Sequence, residues 1–172
     1  PQFFAGAEAR AEELGFQLEH FWLREPGLTS ARLSRILEAR GVTGVIIASH
    51  VRERDVALRL DWSQFSAVKI DYFPHDDPLP VVANHHFQIM QLAMRKVREA
   101  GYRRIGFVMD EGWDITVDRL WSASFLWGQQ QSAPEDQIPP YFTSGDNSLE
   151  DWYRRHRPEV VISKAEFVLP AL

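Results

Sequence analysis

The sequence predicts an α/β fold built on parallel strands. Two observations carry that prediction. A one-faced helical stretch, a glycine or proline stop and a short apolar run follow one another four times along the 172 residues. The clearest apolar runs are β-branched and almost free of polar residues, as strands buried on both faces are.

The first unit is "AEARAEEL", stopped at Gly15 and followed by the apolar "FQLEHFWL" of residues 16–23. In the second, Leu33, Ile36 and Leu37 recur at helical spacing, and Gly41 and Gly44 lead into Val45-Ile46-Ile47. "SAVKIDYF", residues 66–73, reads as a further strand after "RERDVALRLDWSQF". The third unit places Ile89, Leu92, Ala93 and Val97 on one helix face, breaks at Gly101 and continues as Ile105-Gly106-Phe107-Val108. The fourth is "LEDWYRRHR", with Pro158 as the stop before Val160-Val161-Ile162. Glycine ends such helices because it takes the left-handed backbone at low cost. "DYFPHDDPLPVVANHH", residues 71–86, breaks the rhythm with three prolines and reads as the connector between two lobes. "QSAPEDQIPP", residues 131–140, reads as a surface loop inside the second lobe.

Composition removes several functions. With no cysteine there is no disulfide, thiolate nucleophile or zinc-thiolate site. No apolar run approaches the roughly 18 residues of a membrane helix. Pro1-Gln2-Phe3-Phe4 does not read as a signal peptide. A chain without cysteine is not stapled for an oxidising compartment, so the expected location is the cytoplasm, and no membrane partner is expected. The formal charge of −5 argues against a free-standing nucleic-acid-binding domain. Arg103 and Arg104 follow Gly101 at the N-terminal end of a strand, away from the edge where open α/β sheets bind ligands. Their expected place is a solvated junction, where a helix C-terminus favours cations. No G-x-S-x-G, G-x-x-x-x-G-K-[ST] or G-x-G-x-x-G occurs, and the pairs Glu12-Glu13 and Asp76-Asp77 lack acid/base spacing. No enzyme, cofactor or metal site is expected.

The succession of motifs resembles the effector-binding core of the lac-repressor (LacI/GalR) family of bacterial transcription regulators. "PQFFAGAEARAEELGFQLEHF" is similar to the family's first helix and second strand, "LSRILEARGVTGVIIASH" to its L…L…R-VDGIIL unit, and "AVKIDYF" to its strand ending in aspartate. "LAMRKVREAGYRRIGFVMD" is similar to A…L…GHRRIGFV, and "DRLWSASFL" to the R..GF..A helix. The resemblance implies a periplasmic-binding-protein type I-like fold of two Rossmann-like lobes with parallel sheets, here incomplete at both ends. The lobes are expected at residues 1–80 and 81–172. It further implies a homodimer, a sugar-like small-molecule effector held between the lobes, and operator DNA bound by a separate N-terminal helix-turn-helix domain outside these residues. Departures from the family pattern fall at His85-His86, Ser122-Ala123 and Lys164-Ala165, whereas Arg119 matches. A solute-binding protein of a transporter and a Rossmann-like enzyme are the alternative readings.

The candidate ligand contacts are Phe3, Phe4, Ser49, His50, Asp71, His86, Trp113, Arg119 and Lys164. Arg119 offers a forked guanidinium for diol oxygens or a carboxylate, or is a surface helix residue. Asp71 accepts paired hydroxyls or caps its turn. Ser49 and His50 follow a strand, and Ser49 equally suits a helix cap. His86 is a loop histidine or a cleft hydrogen-bonder; a metal reading of His75, His85 and His86 lacks convergent spacing. Trp113 offers a face for stacking. Trp121 and Phe125 share a helix face that points to the core.

Overall fold

The computed structural model describes residues 2–23, 25–48, 58–72, 79–144 and 148–164. The chain divides into two compact units, Pro1–Gly44 with Arg52–Ser66, and Val45–Val51 with Ala67–Leu172.

The first unit contains α1 (Gln2–Glu13) and α2 (Ser30–Ala39). Thr29 caps α2: its hydroxyl accepts the N–H of Arg32 at 3.2 Å. Such a cap contributes about 1 kcal/mol. Leu33 and Leu37 form the buried stripe, as their spacing predicts. The expected strand at 16–23 is not a strand: no ladder reaches residues 16–22, and Phe16 and Trp22 stand 71% and 61% exposed. Apolar content alone cannot build a strand when no neighbouring backbone supplies hydrogen bonds.

The remaining strands are β1 (Gly44–Ile47), β2 (Ser66–Ile70), β3 (Val81–Val82), β4 (Ile105–Met109), β5 (Tyr141–Phe142) and β6 (Val160–Ser163). They form two three-stranded sheets, ordered β1-β2-β3 and β5-β4-β6. All recorded registers are parallel: Lys69 opposite Val81, Val108 opposite Tyr141, and Ile105 opposite Val160. β3 lies within the stretch read as a connector, and β5 directly follows the proline-rich loop. Each is two residues long, too short for periodicity to reveal.

The helices of the second unit are α3 (His86–Glu99), α4 (Glu111–Thr116), α5 (Leu120–Gln129) and α6 (Leu149–His156). β4 is buried along its whole length. One face, Ile105, Phe107 and Met109, packs with Met90 and Met94 of α3 and Phe125 of α5. On the other face Val108 packs with Ile138 and Trp152. Burying one such side chain is worth roughly 1.5–3 kcal/mol. The buried face of α3 is therefore His86, Met90, Met94 and, in part, Val97. This corrects the expected face, because Ile89 and Leu92 are 41% and 46% exposed. The flexible methionines follow the contour of α5: an ideal Cβ on Gly128 would stand 2.5 Å from Met94 Sδ, so only glycine admits that sulfur. No helix among the described residues is long and apolar enough to cross a membrane.

Candidate functional site

In a parallel sheet the C-terminal ends of all strands share one edge, where α/β proteins bind ligands. In the sheet β5-β4-β6 that edge collects residues from three strands. β4 delivers Asp110, whose Oδ1 accepts the N–H of Trp113 at 3.0 Å and so caps α4. Beside it, Thr143 follows β5, donates its N–H to Met109 O at 3.0 Å and lies with its hydroxyl 3.4 Å from Asp110 Oδ2. Ser144 donates its hydroxyl to Glu111 Oε2 at 3.1 Å. β6 delivers Lys164.

Two of the expected contacts meet here. The Lys164 ammonium lies 3.5 Å from the centroid of the Trp113 ring. The indole also packs against the β4 core cluster. Trp113 thus seats a cation at the edge rather than offering that face for stacking. Arg119 begins α5 with a left-handed backbone, φ 55°. Its Nη2 stands 3.4 Å from Glu111 Oε1, with the two side chains 53% and 43% exposed. A pair this open to water contributes little stability. Its value is placement: Glu111 joins Arg119 to Ser144. Glu111, Thr143 and Ser144 were not singled out from sequence. The signal for Glu111 was its position directly after Asp110, whereas β5 was masked by Pro139 and Pro140.

A second cluster joins Asp71 and His86. Asp71 ends β2 with φ 68°, an unfavourable conformation for a residue with a Cβ, and donates its N–H to Val82 O at 3.0 Å. His85 caps α3, its Nδ1 accepting the N–H of Gln88 at 3.3 Å, and His86 turns inward. The His86 ring is 7% exposed and has neighbours in Tyr72, at 6.0 Å between centroids, and Trp121, at 5.6 Å. Its Nε2 is 3.7 Å from Asp71 Oδ1, beyond hydrogen-bond reach, and neither ring nitrogen has a hydrogen-bond partner among the described residues. Buried polar atoms left this way are unusual, and a ligand hydroxyl of the right placement would satisfy them.

No protein-family model matches the sequence, and no curated protein does. Three solved structures match it. A LacI transcriptional regulator from Lactobacillus brevis aligns at TM-score 0.59 and 18% identity, covering 97% of this chain and 66% of that one. A periplasmic binding protein/LacI transcriptional regulator from Alkaliphilus metalliredigens QYMF, complexed with D-xylulofuranose, aligns at 0.59 and 15%, covering 99% and 65%. A PurR family transcriptional regulator from Vibrio parahaemolyticus RIMD 2210633 aligns at 0.53 and 16%, covering 91% and 62%. The chain shares its fold with these solved structures. The chain spans about two thirds of the length of the solved chains it matches.

Phe4 lies on α1 of the first unit, 39% exposed, with its ring edge-on to His20 at 5.3 Å. The Phe3 side chain, Ser49, His50 and His75 lie outside the described residues. Among the described residues, no group of three histidine, aspartate or glutamate side chains could hold a metal ion. Arg104 sits at the opposite, N-terminal edge, as expected, but it is half-buried and has a structural task. Its guanidinium donates to the carbonyls of His156, of Arg157 at 3.4 Å and of Glu135 at 2.5 Å. It ties the open C-terminal end of α6 to the start of β4.

Proposed function

We propose that this chain is the ligand-sensing core of a DNA-binding transcription regulator, taking a small sugar-like effector. The supporting observation is the C-terminal edge of β5-β4-β6. Acceptors Asp110 and Glu111, hydroxyls Thr143 and Ser144, and donors Arg119 and Lys164 are gathered there, Lys164 over Trp113 and Arg119 and Ser144 on Glu111. Carboxylates accept hydroxyl protons, and guanidinium and ammonium groups donate to ring and hydroxyl oxygens, so the mixture suits a neutral polyol better than an ion. Asp71 and His86 would complete the set. Phe3, Phe4, Ser49 and His50 remain candidates from the first half of the chain.

The lobes at 1–80 and 81–172, the homodimer and the operator-binding head are part of the same proposal. Effector acts by binding one conformational state better than another, which shifts the population and hence operator affinity.

Titration calorimetry against pentoses, ketoses, hexoses and nucleosides tests the reading. One sugar class is expected to bind, and Arg119→Ala should weaken it about tenfold, the loss of roughly 1.4 kcal/mol. If no compound in the panel gives heat, the sensing function is wrong. Reading the gene upstream of Pro1 separates regulator from transporter component: a helix-turn-helix supports the former and an export signal the latter.

A further inference from the structure

Asp114 plays no part in the edge just described, yet it is 0% exposed. Its Oδ2 accepts the hydroxyl of Ser122 at 2.5 Å, and its Oδ1 accepts the N–H of Ser122 at 3.2 Å. Its main-chain carbonyl accepts the N–H groups of Val117, at 3.2 Å, and Arg119, at 2.8 Å. One residue thus gathers both ends of the turn between α4 and α5. That turn holds two consecutive left-handed residues, Asp118 at φ 57° and Arg119 at φ 55°. Neither is glycine, so each resists this backbone and must be held in it. The carbonyl of Arg119 accepts from Ala123 N, at 2.9 Å, and its N–H donates to Asp114 O, so its backbone is fixed on both sides.

We infer that Asp114 is the positioning residue for Arg119. Through Ser122 it locks the left-handed turn that aims the guanidinium at Glu111 and the ligand edge. The Ser122 N–H can only donate, so one Asp114 oxygen must accept it, and the single hydroxyl proton goes to the charged Oδ2 at 2.5 Å; a carboxamide loses that charge-assisted bond and forces the hydroxyl to reverse and accept. The inference rests on Arg119 contacting the effector, but its test does not need the effector.

Side-chain nuclear magnetic resonance of the ¹⁵N-arginine-labelled chain reads the Arg119 Nε–Hε signal, assigned by its loss in Arg119→Lys. In the unmodified chain Glu111→Gln is expected to shift that signal. In Asp114→Asn the Glu111-dependent shift is expected to vanish. Adding Asp118→Gly relieves the strained turn, and is expected to restore stability without restoring the shift. A merely structural Asp114 would recover both together. Should Asp114→Asn not fold, Ser122→Ala carries the same test, because it removes the shorter of the two bonds and keeps the carboxylate. A Glu111-dependent shift that persists in a folded Asp114→Asn or Ser122→Ala chain overturns the inference. So does its absence from the unmodified chain. Failure of every sugar to bind would instead sink the proposed function and leave these spectra unchanged.

Discussion

Gln129 and Ile138 are joined by two hydrogen bonds. The side-chain Nε2 of Gln129 donates to Ile138 O at 2.6 Å, and its Oε1 accepts Ile138 N–H at 2.6 Å. Gln129 is 6% exposed and Ile138 1%. The amide copies a backbone pairing and pins the proline-rich loop to the end of α5. Gln129→Ala should therefore strand a buried donor and a buried acceptor, and cost about 2–4 kcal/mol. Urea unfolding followed by tryptophan fluorescence measures it; a loss below about 0.5 kcal/mol, the ordinary scatter of surface changes, would contradict this account.

Gly106 lies under the Trp152 ring. An ideal Cβ there would stand 2.6 Å from Trp152 Cη2 and 3.1 Å from Pro158 Cβ. Gly106→Ala should destabilise by about 1–3 kcal/mol through overpacking. Combining it with Trp152→Leu should give less than the sum of the two single losses, since one change vacates the space the other needs. Additive losses would place the strain elsewhere.

Glu159 Oε2 accepts the N–H groups of Arg103 at 2.7 Å and Arg104 at 3.1 Å. These bonds hold its carboxyl below the usual carboxylate range, with the two guanidinium charges adding to them. A depressed carboxyl stabilises the fold above its unfolded pKa, and that contribution disappears as the pH falls through the lower folded value. In Glu159→Gln the acid limb of the stability profile should be flatter than in the parent. Superimposable acid limbs would refute the assignment.

Burial, then the charges of Arg155 and Arg104, hold the His156 imidazole below its ordinary value of 6.5. The unfolded chain takes up this proton first. Stability should therefore decline as the pH falls from the ordinary imidazole range to the lower folded value, and His156→Asn should remove that part of the slope. Thermal melts at a series of pH values read it directly, and an unchanged slope would rule His156 out as its source.

Lys164→Met keeps the side-chain length and removes the charge over Trp113. The loss should be about 0.5–1 kcal/mol, as for an exposed cation–π contact. In a Trp113→Leu background the same change should cost less. A full double-mutant cycle gives the coupling, and a value of zero would mean that the stack does not hold Lys164.

Much of the fold is written in the spacing of apolar residues. β4 is legible because a strand buried on both faces must be apolar throughout, as Ile105–Met109 nearly is, and β6 shows the same kind of run although it is only half-buried. The stops at Gly15, Gly41 and Gly101 are legible because each takes positive φ, at 78°, 65° and 96°. The face of α3 was misjudged because Ile89 and Leu92 are more hydrophobic than the methionines that are actually buried. Composition ranks residues, whereas the shape of α5 selects a flexible thioether that can reach past Gly128. At the candidate site the single residues Trp113, Arg119 and Lys164 were visible, but not that Lys164 covers Trp113 or that Glu111 holds Arg119. Those relations depend on three strand ends meeting at one edge, which no local pattern records.

The complete burial of β4 has a consequence for how this chain comes to be made. α3 precedes β4 in the sequence and can meet its first face early. Its second face waits for Ile138 and Trp152, and its far neighbour in the sheet is β6. As the polypeptide emerges from the ribosome, an apolar strand with an unpaired border is therefore exposed through the synthesis of α4, α5 and the loop that follows. Long-range parallel pairing of this kind is slow and open to aggregation until β6 arrives. Truncation before Trp152 should leave a nascent chain that depends on chaperones.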